Sequence, residues 1–335
     1  MKPLIHFPED TYQNLYQTSR LRKNIKAALE SKNIKYVDEF TPDIDVAFFG
    51  TLEVRDISMI NKCLSQDKLV IYFALYQESD TVGKLIFEDK EGNTFIKPRH
   101  LKVLNEVSLI VVPSLTCKKL LEKHGVTNKI AVIKTPINYK RFNKDNDLEK
   151  QIFLRYFHIN DENDIIIGTG NLENEENIQM FKLLANRFPD KRFYYFVDSK
   201  NNLATKIRIN KIADNRPKNL VVRPLVSDDV FRSGLMNARF YVEPSHSLVG
   251  TLSLVDVLAS QATLVIHESA YCSDVLPNEV ASSYVTLEEL ISLLEREKEE
   301  TEKQRKNALN FAKTHSIEQF ADEIIANVNL LKGGK

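Results

Sequence analysis

Residues 219–269 decide the fold, and they read NLVVRPLVSDDVFRSGLMNARFYVEPSHSLVGTLSLVDVLASQATLVIHES. Three short runs in this stretch, at 220–226, 239–245 and 262–269, are rich in β-branched and aromatic residues. Continuous apolar runs of this length are typical of parallel strands that are buried on both faces. The segment at 253–261 has helical spacing instead. The stretch therefore predicts strands and helices that alternate around a parallel sheet.

The same alternation extends toward the N-terminus. Further strands are predicted at 46–50, 68–75, 107–114, 129–136, 164–170 and 192–198. Helices are predicted at 114–125 and 176–188, and in the first of these Ser114 is expected to cap the first turn and Gly125 to end the last. Strand–helix alternation repeated this often indicates an α/β fold with right-handed crossovers.

A polar segment at 138–163 separates two strand–helix series. We therefore predict a Rossmann-like domain at 1–145 and a second such domain at 150–315. A helix at 316–335 is expected to return toward the first domain. The whole stretch 289–331 is predicted to be helical, with its central charge run facing solvent.

Composition excludes several classes of protein. The chain has 335 residues with 46 basic and 46 acidic side chains, whereas a dedicated nucleic-acid binder would carry a basic excess. The first 145 residues carry 23 basic and 18 acidic side chains, so the remainder is acidic by the same margin. The three cysteines lack metal or disulfide spacing, which favours a reducing, cytoplasmic location. No signal peptide, long apolar span, Walker motif or dinucleotide fingerprint is found, which argues against export, membrane spanning and a dehydrogenase.

Four stretches together resemble the family-4 glycosyltransferases. These are VSLIVVPSLTCKKLLEKHGVTNKIAVIKTPINYKRFN (107–143), DIIIGTGNLENEENIQMFKLLANRFPDKRFYYF (164–196), the opening stretch 219–269, and FAKTHSIEQFADEI (311–324). The resemblance implies the GT-B fold, in which two Rossmann-like, doubly wound parallel-sheet domains face a cleft. The stretch YQESDTVG (76–83) is most similar to bacterial diacylglycerol glycosyltransferases. Such a protein would transfer a hexose from a nucleoside diphosphate sugar in glycolipid or surface-glycan assembly, with no metal or other cofactor.

The resemblance also identifies donor-site positions, and several depart from the family pattern. Family members clamp the diphosphate with an Arg and a Lys, and these positions hold Asn171 and Glu176 here. Of two family glutamates spaced eight apart, the first falls on Leu248 and the second on Asp256, which could still bind a ribose. A carboxylate at Glu176 would repel a diphosphate.

Other residues could complete a donor site. Lys134, Lys200 and Arg223 follow predicted strand ends, where ligands bind in open α/β sheets. The loop at 245–253, including His246, Gly250 and Thr251, would surround the sugar and the phosphates. A loop histidine is also commonly a surface or capping residue.

On the acceptor side, Phe73 and Leu75 occupy the places where relatives often have a histidine. Glu78 and Asp80 either form a carboxylate pair or belong to a solvated loop. Ser114 is expected to be a helix cap and not a nucleophile. The basic stretch 97–102, with Lys118, Lys119 and Lys123, either faces anionic lipid at the inner membrane face or belongs to a mixed-charge surface.

Two functions therefore stay open at the level of the sequence. The chain is either an active hexosyltransferase or a non-catalytic pseudo-glycosyltransferase that binds or regulates an active enzyme. A homo-oligomer, or a hetero-oligomer with another glycosyltransferase, is compatible with both. Diphosphate affinity distinguishes them, because an enzyme must bind its nucleotide.

Overall fold

A computed structural model gives the fold of the chain. It describes residues 3–8, 16–74, 85–142, 146–161, 163–170, 172, 174–197, 199, 202–244, 251–268 and 276–333.

The first half of the chain forms a parallel sheet. Its strands are β1 (Ile5–His6), β2 (Tyr36–Val37), β3 (Val46–Phe49), β4 (Leu69–Phe73), β7 (Leu109–Val112) and β8 (Ile130–Val132). Between β4 and β7 the chain forms a separate antiparallel hairpin of β5 (Ile86–Glu88) and β6 (Thr94–Ile96). Their order across the sheet is β2–β1–β3–β4–β7–β8. The strands are apolar at consecutive positions because helices cover both faces of the sheet.

Four helices of this half are α1 (Tyr16–Ser31), α2 (Val54–Ser65), α3 (Pro98–Glu106) and α4 (Leu115–Lys123). Neighbouring strand residues point to opposite faces: Phe48 packs in the cluster that includes α1, and Phe49 in the cluster that includes α2, α3 and α4. Ser114 caps α4 as predicted, because the Cys117 amide donates to its hydroxyl at 3.1 Å. Gly125 follows α4 with a φ of 90°.

The second half forms another parallel sheet. Its strands are β9 (Ile165–Gly170), β10 (Arg192–Val197), β11 (Leu220–Pro224), β12 (Ala238–Glu243), β13 (Thr263–His267) and β14 (Ala281–Tyr284). Their order is β11–β10–β9–β12–β13–β14. This is the order of a Rossmann sheet, in which the winding direction reverses between the first and fourth strands, here β9 and β12.

The helices of the second half, with the last helix of the chain, are α5 (Asp147–Tyr156), α6 (Glu175–Arg187), α7 (Leu203–Ile212), α8 (Asp228–Asn237), α9 (Thr251–Ser260), α10 (Leu287–Glu295), α11 (Lys298–Lys313) and α12 (Ile317–Gly333). Ile166 packs with α6, α7 and α10, whereas Ile167 packs on the other face with α5, α8, α9 and α11. The second sheet is therefore doubly wound.

Two glycines of β9 allow aromatic rings to pack directly on the sheet. A Cβ at Gly168 would lie 2.3 Å from the Phe181 ring of α6, and one at Gly170 would lie 1.9 Å from the hydroxyl oxygen of Tyr195. Any side chain at either position would force the ring or the strand to move. These glycines serve the packing of α6 and β10 on β9.

The chain crosses between the two halves at two places that touch each other. Ile133 belongs to the core of the first half and Ile137 to the core of the second. Near the C-terminus, the Ile137 amide donates to the His315 carbonyl at 2.7 Å, and Ile137 pairs with Ser316 in a parallel bridge. After this crossing, α12 packs against α1, with Phe320 and Ile324 in the core of the first half.

The nine predicted strands and the helices at 114–125, 176–188 and 253–261 are confirmed to within two residues at their ends, except that the strand predicted at 129–136 ends four residues early, at Val132. The stretch 289–331 is helical as predicted, but it is divided into parts of α10, α11 and α12 by breaks after Glu295 and Lys313. Its charge run faces solvent, with Lys306 and Glu302 at 2.5 Å. The domain bounds of 1–145, 150–315 and 316–335 stay predictions.

Candidate functional site

The crevice of interest lies at the carboxyl ends of β9 and β12. Ligands of open α/β sheets bind where the winding direction of the sheet reverses, outside the carboxyl ends of the strands. The last residues of these strands, Gly170 and Glu243, therefore mark the crevice. Within it, the hydroxyls of Thr169 and Tyr241 join the two strands by a hydrogen bond of 2.6 Å. The loops that follow both strands carry the donor positions predicted from the sequence.

A buried carboxylate lies at the end of β12. Glu243 is 3% exposed, although it comes from a strand that the sequence analysis treated only as a structural element. Burial, and then the negative charge of Glu243, raise the pKa of Tyr284 well above its ordinary value. Burial, and then the negative charge of Glu243, also raise the pKa of Tyr195. The charge of Glu243 thus reaches strands on both sides of the crevice.

A second acidic feature is the first turn of α6. Glu175 and Glu176 both lie in this turn and are exposed. Acidic side chains at a helix N-terminus stabilise the helix by opposing its dipole. They also occupy with negative charge the place where a helix could otherwise attract a phosphate. The guanidinium of Arg208 lies 3.8 Å from Glu175 and donates to the Leu172 carbonyl at 3.0 Å, which fixes the loop before α6.

The helix that follows β12 differs from α6. Its first turn, which begins at Thr251, contains no acidic residue. Asp256, the predicted ribose ligand, lies further along α9 and is 1% exposed. A ribose that contacts Asp256 would therefore have to enter deeply beside α9.

Lys134 lies at the crossing between the two halves. Its ammonium donates to the Thr314 hydroxyl at 3.0 Å and lies 5.7 Å above the Phe311 ring. Both partners belong to the junction between α11 and α12. Lys134 thus contributes to the connection between the halves.

Arg223 contacts α5. Its guanidinium donates to the Tyr156 hydroxyl at 2.9 Å and lies 5.1 Å above the Tyr156 ring. Lys134 and Arg223 share no partner in the part of the chain that the structure describes. The structure therefore does not bring these two candidate cations together around one ligand.

Several predicted positions lie outside the described residues. These are Glu78, Asp80 and Leu75 on the acceptor side, and Asn171, Lys200, His246, Leu248 and Gly250 on the donor side. On the acceptor side, Phe73 is described and is buried, with its ring 5.2 Å from that of Phe48.

Metal-binding clusters and membrane-spanning helices are both absent from the described residues. Among them, no three His, Cys, Asp or Glu side chains are arranged to hold a metal ion. None of the helices within the described ranges is long and apolar enough to cross a membrane.

Comparisons with known proteins agree with this architecture. No family model matches the chain. A glycosyltransferase from Rickettsia africae superposes with a TM-score of 0.69 at 10% identity over the whole of both chains. The Anabaena protein Alr3699/HepE, solved in complex with UDP and glucose, gives a TM-score of 0.70 at 10% identity over 98% of this chain and 99% of that one. The chain has the GT-B fold.

A sequence relative supports the family-4-like resemblance. The processive diacylglycerol alpha-glucosyltransferase of Acholeplasma laidlawii is 25% identical over 177 residues. The match spans about half of this chain and about half of the length of that relative. The recognition of a family-4-like GT-B protein from the sequence is thereby confirmed.

Proposed function

We propose that the protein is a hexosyltransferase that takes its sugar from a nucleoside diphosphate donor and acts in glycolipid or surface-glycan assembly. The observation that carries this proposal is the match to a processive diacylglycerol alpha-glucosyltransferase on a chain with the GT-B fold. A structural neighbour was solved with UDP and glucose, which supports a uridine nucleotide as the donor.

The donor would bind in the crevice between β9 and β12. The first turn of α9 is the place best suited to the diphosphate there, because it carries no acidic side chain and a helix N-terminus attracts anions. The loop at 245–253 would surround the sugar and the phosphates, and Asp256 would accept hydrogen bonds from the ribose. As the resemblance implies, no resident metal or cofactor would be needed.

The charge of the crevice predicts weak donor binding. Glu176 is exposed in the first turn of α6, and Glu243 places a buried negative charge at the end of β12. The exposed charge of Glu176 opposes a diphosphate, whose charge also grows as the sugar leaves. Lys134 and Arg223 make contacts elsewhere. We therefore expect a dissociation constant for UDP in the millimolar range.

The same acidic crevice favours a second candidate function. A pseudo-glycosyltransferase would keep the fold and act as a non-catalytic partner of an active enzyme. Glu176, at a position where the family places a cation, is the observation that favours it. Such a protein would not transfer sugar at any donor concentration.

A peripheral membrane contact is proposed for the first half. The basic stretch 97–102 lies at the start of α3, and the neighbouring hairpin of β5 and β6 exposes 39% of Phe95. Lysine ammonium groups beside an exposed aromatic ring suit an anionic lipid surface. Sedimentation with anionic vesicles should fall as salt is raised, because exposed charges are screened.

A turnover assay tests the proposed activity. The purified chain would be incubated with millimolar UDP-glucose and vesicles that contain diacylglycerol, and UDP release and glucolipid would both be measured. We expect lipid-dependent release of UDP, and its loss in Asp256→Asn. Glucolipid formation by the wild type would exclude the non-catalytic candidate. No product with UDP-glucose or GDP sugars, despite measurable nucleotide binding, would support that candidate.

A further inference from the structure

A cluster of arginines lies at the opposite edge of the second sheet from the crevice. Arg239 is near the amino end of β12, and its side chain is only 6% exposed. Its Nη2 donates to the carbonyl of Arg296, in the turn between α10 and α11, at 2.7 Å. About two turns into α11, the Nη2 of Arg305 donates to the Lys298 carbonyl at 3.2 Å. Because these two carbonyls are two residues apart in one turn, the guanidiniums of Arg239 and Arg305 approach the same short segment.

Acidic side chains also lie near this cluster. Asp164 is the nearest carboxylate, with its Oδ2 3.9 Å from the Nε of Arg239. That same oxygen lies closer, at 3.2 Å, to the ammonium of Lys191. Burial lowers the pKa of Arg239, and the positive charge of Arg305 lowers it further, whereas Asp164, Glu297 and Glu299 act in the other direction.

Several donors of the cluster have no acceptor in the described part of the protein. These are Nε and Nη1 of Arg239 and Nε of Arg305, all of which are inaccessible to solvent. A buried charged donor without a partner is costly, and native proteins almost always satisfy it. The planar guanidinium fork matches the oxygens of phosphate and carboxylate in two parallel hydrogen bonds. Arg296, whose carbonyl accepts from Arg239, is itself exposed.

We propose that Arg239 and Arg305 form a binding site for a small oxyanion of the phosphate type, separate from the sugar-donor crevice. The ligand is either inorganic phosphate or the terminal phosphate of a phosphorylated metabolite, since both present the same oxygens. Bound there, it would join β12 to the turn that starts α11. Because α11 continues into α12, which packs on the first half, the anion would stabilise the C-terminal connection between the halves.

The experiment follows thermal unfolding of the full chain at pH 7.5 while phosphate is titrated from 0 to 20 mM at constant ionic strength, with chloride as the balancing anion. We expect a saturable rise in the unfolding midpoint of about 2–4 °C. Glucose 6-phosphate, titrated in parallel, distinguishes the two sources: an equal rise favours a phosphate monoester, and a rise with inorganic phosphate alone favours the free ion.

Three variants make the test specific. Arg239→Met and Arg305→Met should each abolish the saturable rise, and Arg305→Met keeps the test usable if the buried Arg239→Met chain does not fold. Arg187→Met is the matched control, because Arg187 is an exposed arginine of the same half, on α6. It should respond like the wild type. A rise that does not saturate, or one that is equal in wild type and both site variants, would overturn the proposal.

Discussion

The two edges of the second sheet place different side chains beside the strand ends, and the arginine cluster is not at the edge where a diphosphate site is expected. At the carboxyl edge, where the fold places ligands, Glu243 and Glu176 are acidic and the described arginine and lysine candidates make contacts elsewhere. At the amino edge, Arg239 and Arg305 hold buried donors without protein acceptors. The comparison teaches that a fold fixes where a ligand can enter, whereas single side chains decide which charge it may carry.

The largest expected effect tests how tightly side chains pack at the carboxyl end of β9. Gly170→Ala should destabilise the protein by about 3 kcal/mol, because the new Cβ would lie 1.9 Å from the Tyr195 hydroxyl oxygen. Urea unfolding measures the loss. Gly50→Ala is the control, since a Cβ there meets no atom within 4 Å. Removing the hydroxyl in a Gly170→Ala, Tyr195→Phe double variant should restore part of the stability; no recovery would mean that the clash lies elsewhere.

The second prediction concerns the pH dependence of folding stability. It limits the pH range in which ligand binding at the two edges can be compared. Burial lowers the pKa of His315, at the crossing between the halves, from 6.5 to about 4. The unfolded chain therefore binds more protons between these values, and stability falls as pH drops through this range. From pH 7 to pH 5 we expect a loss of about 2 kcal/mol.

Unfolding of His315→Gln isolates this contribution. The variant should lose the part of the pH dependence between 4 and 6.5, whatever its stability at pH 7. An NMR titration of the His315 ring gives the pKa directly, and a value near 6.5 would contradict the prediction. The comparison of the two edges should be made above pH 7, where this histidine is neutral.

Reversing the charge of residue 176 tests whether Glu176 weakens nucleotide binding at the carboxyl edge. Glu176→Lys should tighten UDP binding by about tenfold, since it replaces repulsion by attraction at the first turn of α6. Glu288→Lys supplies the control, because Glu288 is an acidic residue in the first turn of α10. Calorimetry that finds the same gain in both variants would show an effect of net charge alone.

The smallest effect tests the buried carboxylate. Glu243→Gln removes the negative charge that raises the pKa of Tyr284 after burial itself. Ionisation of the Tyr284 ring, followed by NMR at alkaline pH, should then occur at lower pH than in the wild type. An unchanged tyrosine titration would mean that the charge of Glu243 does not reach Tyr284.

Most of the second sheet could be predicted from the sequence, because its strands are long apolar runs that end in turn or capping residues. The strands that were not predicted, which include the hairpin strands β5 and β6, are of other kinds. β1 and β2 have two residues each, too few for any periodicity, and β14 carries Ser282 and Ser283 at the edge of the sheet. The break before α11 was also missed, because residues 295–306 have good helix-forming composition throughout.

The candidate sites were less predictable. Glu176 could be singled out because a family position was known, but Glu243 lies inside an apolar strand pattern and has no local signal. Its influence on Tyr195 and Tyr284 depends on which strands are neighbours in the sheet. Arg239 and Arg305 are 66 positions apart in the sequence. Only the packing of β12 beside the start of α11 brings their guanidiniums to one turn.

The most direct test of the account is a calorimetric titration of the wild type and Glu176→Lys with UDP at pH 7.5. We predict millimolar binding by the wild type and about tenfold tighter binding by the variant. Micromolar binding by the wild type, unchanged in Glu176→Lys, would contradict it and would place the diphosphate among cations other than those considered at this crevice.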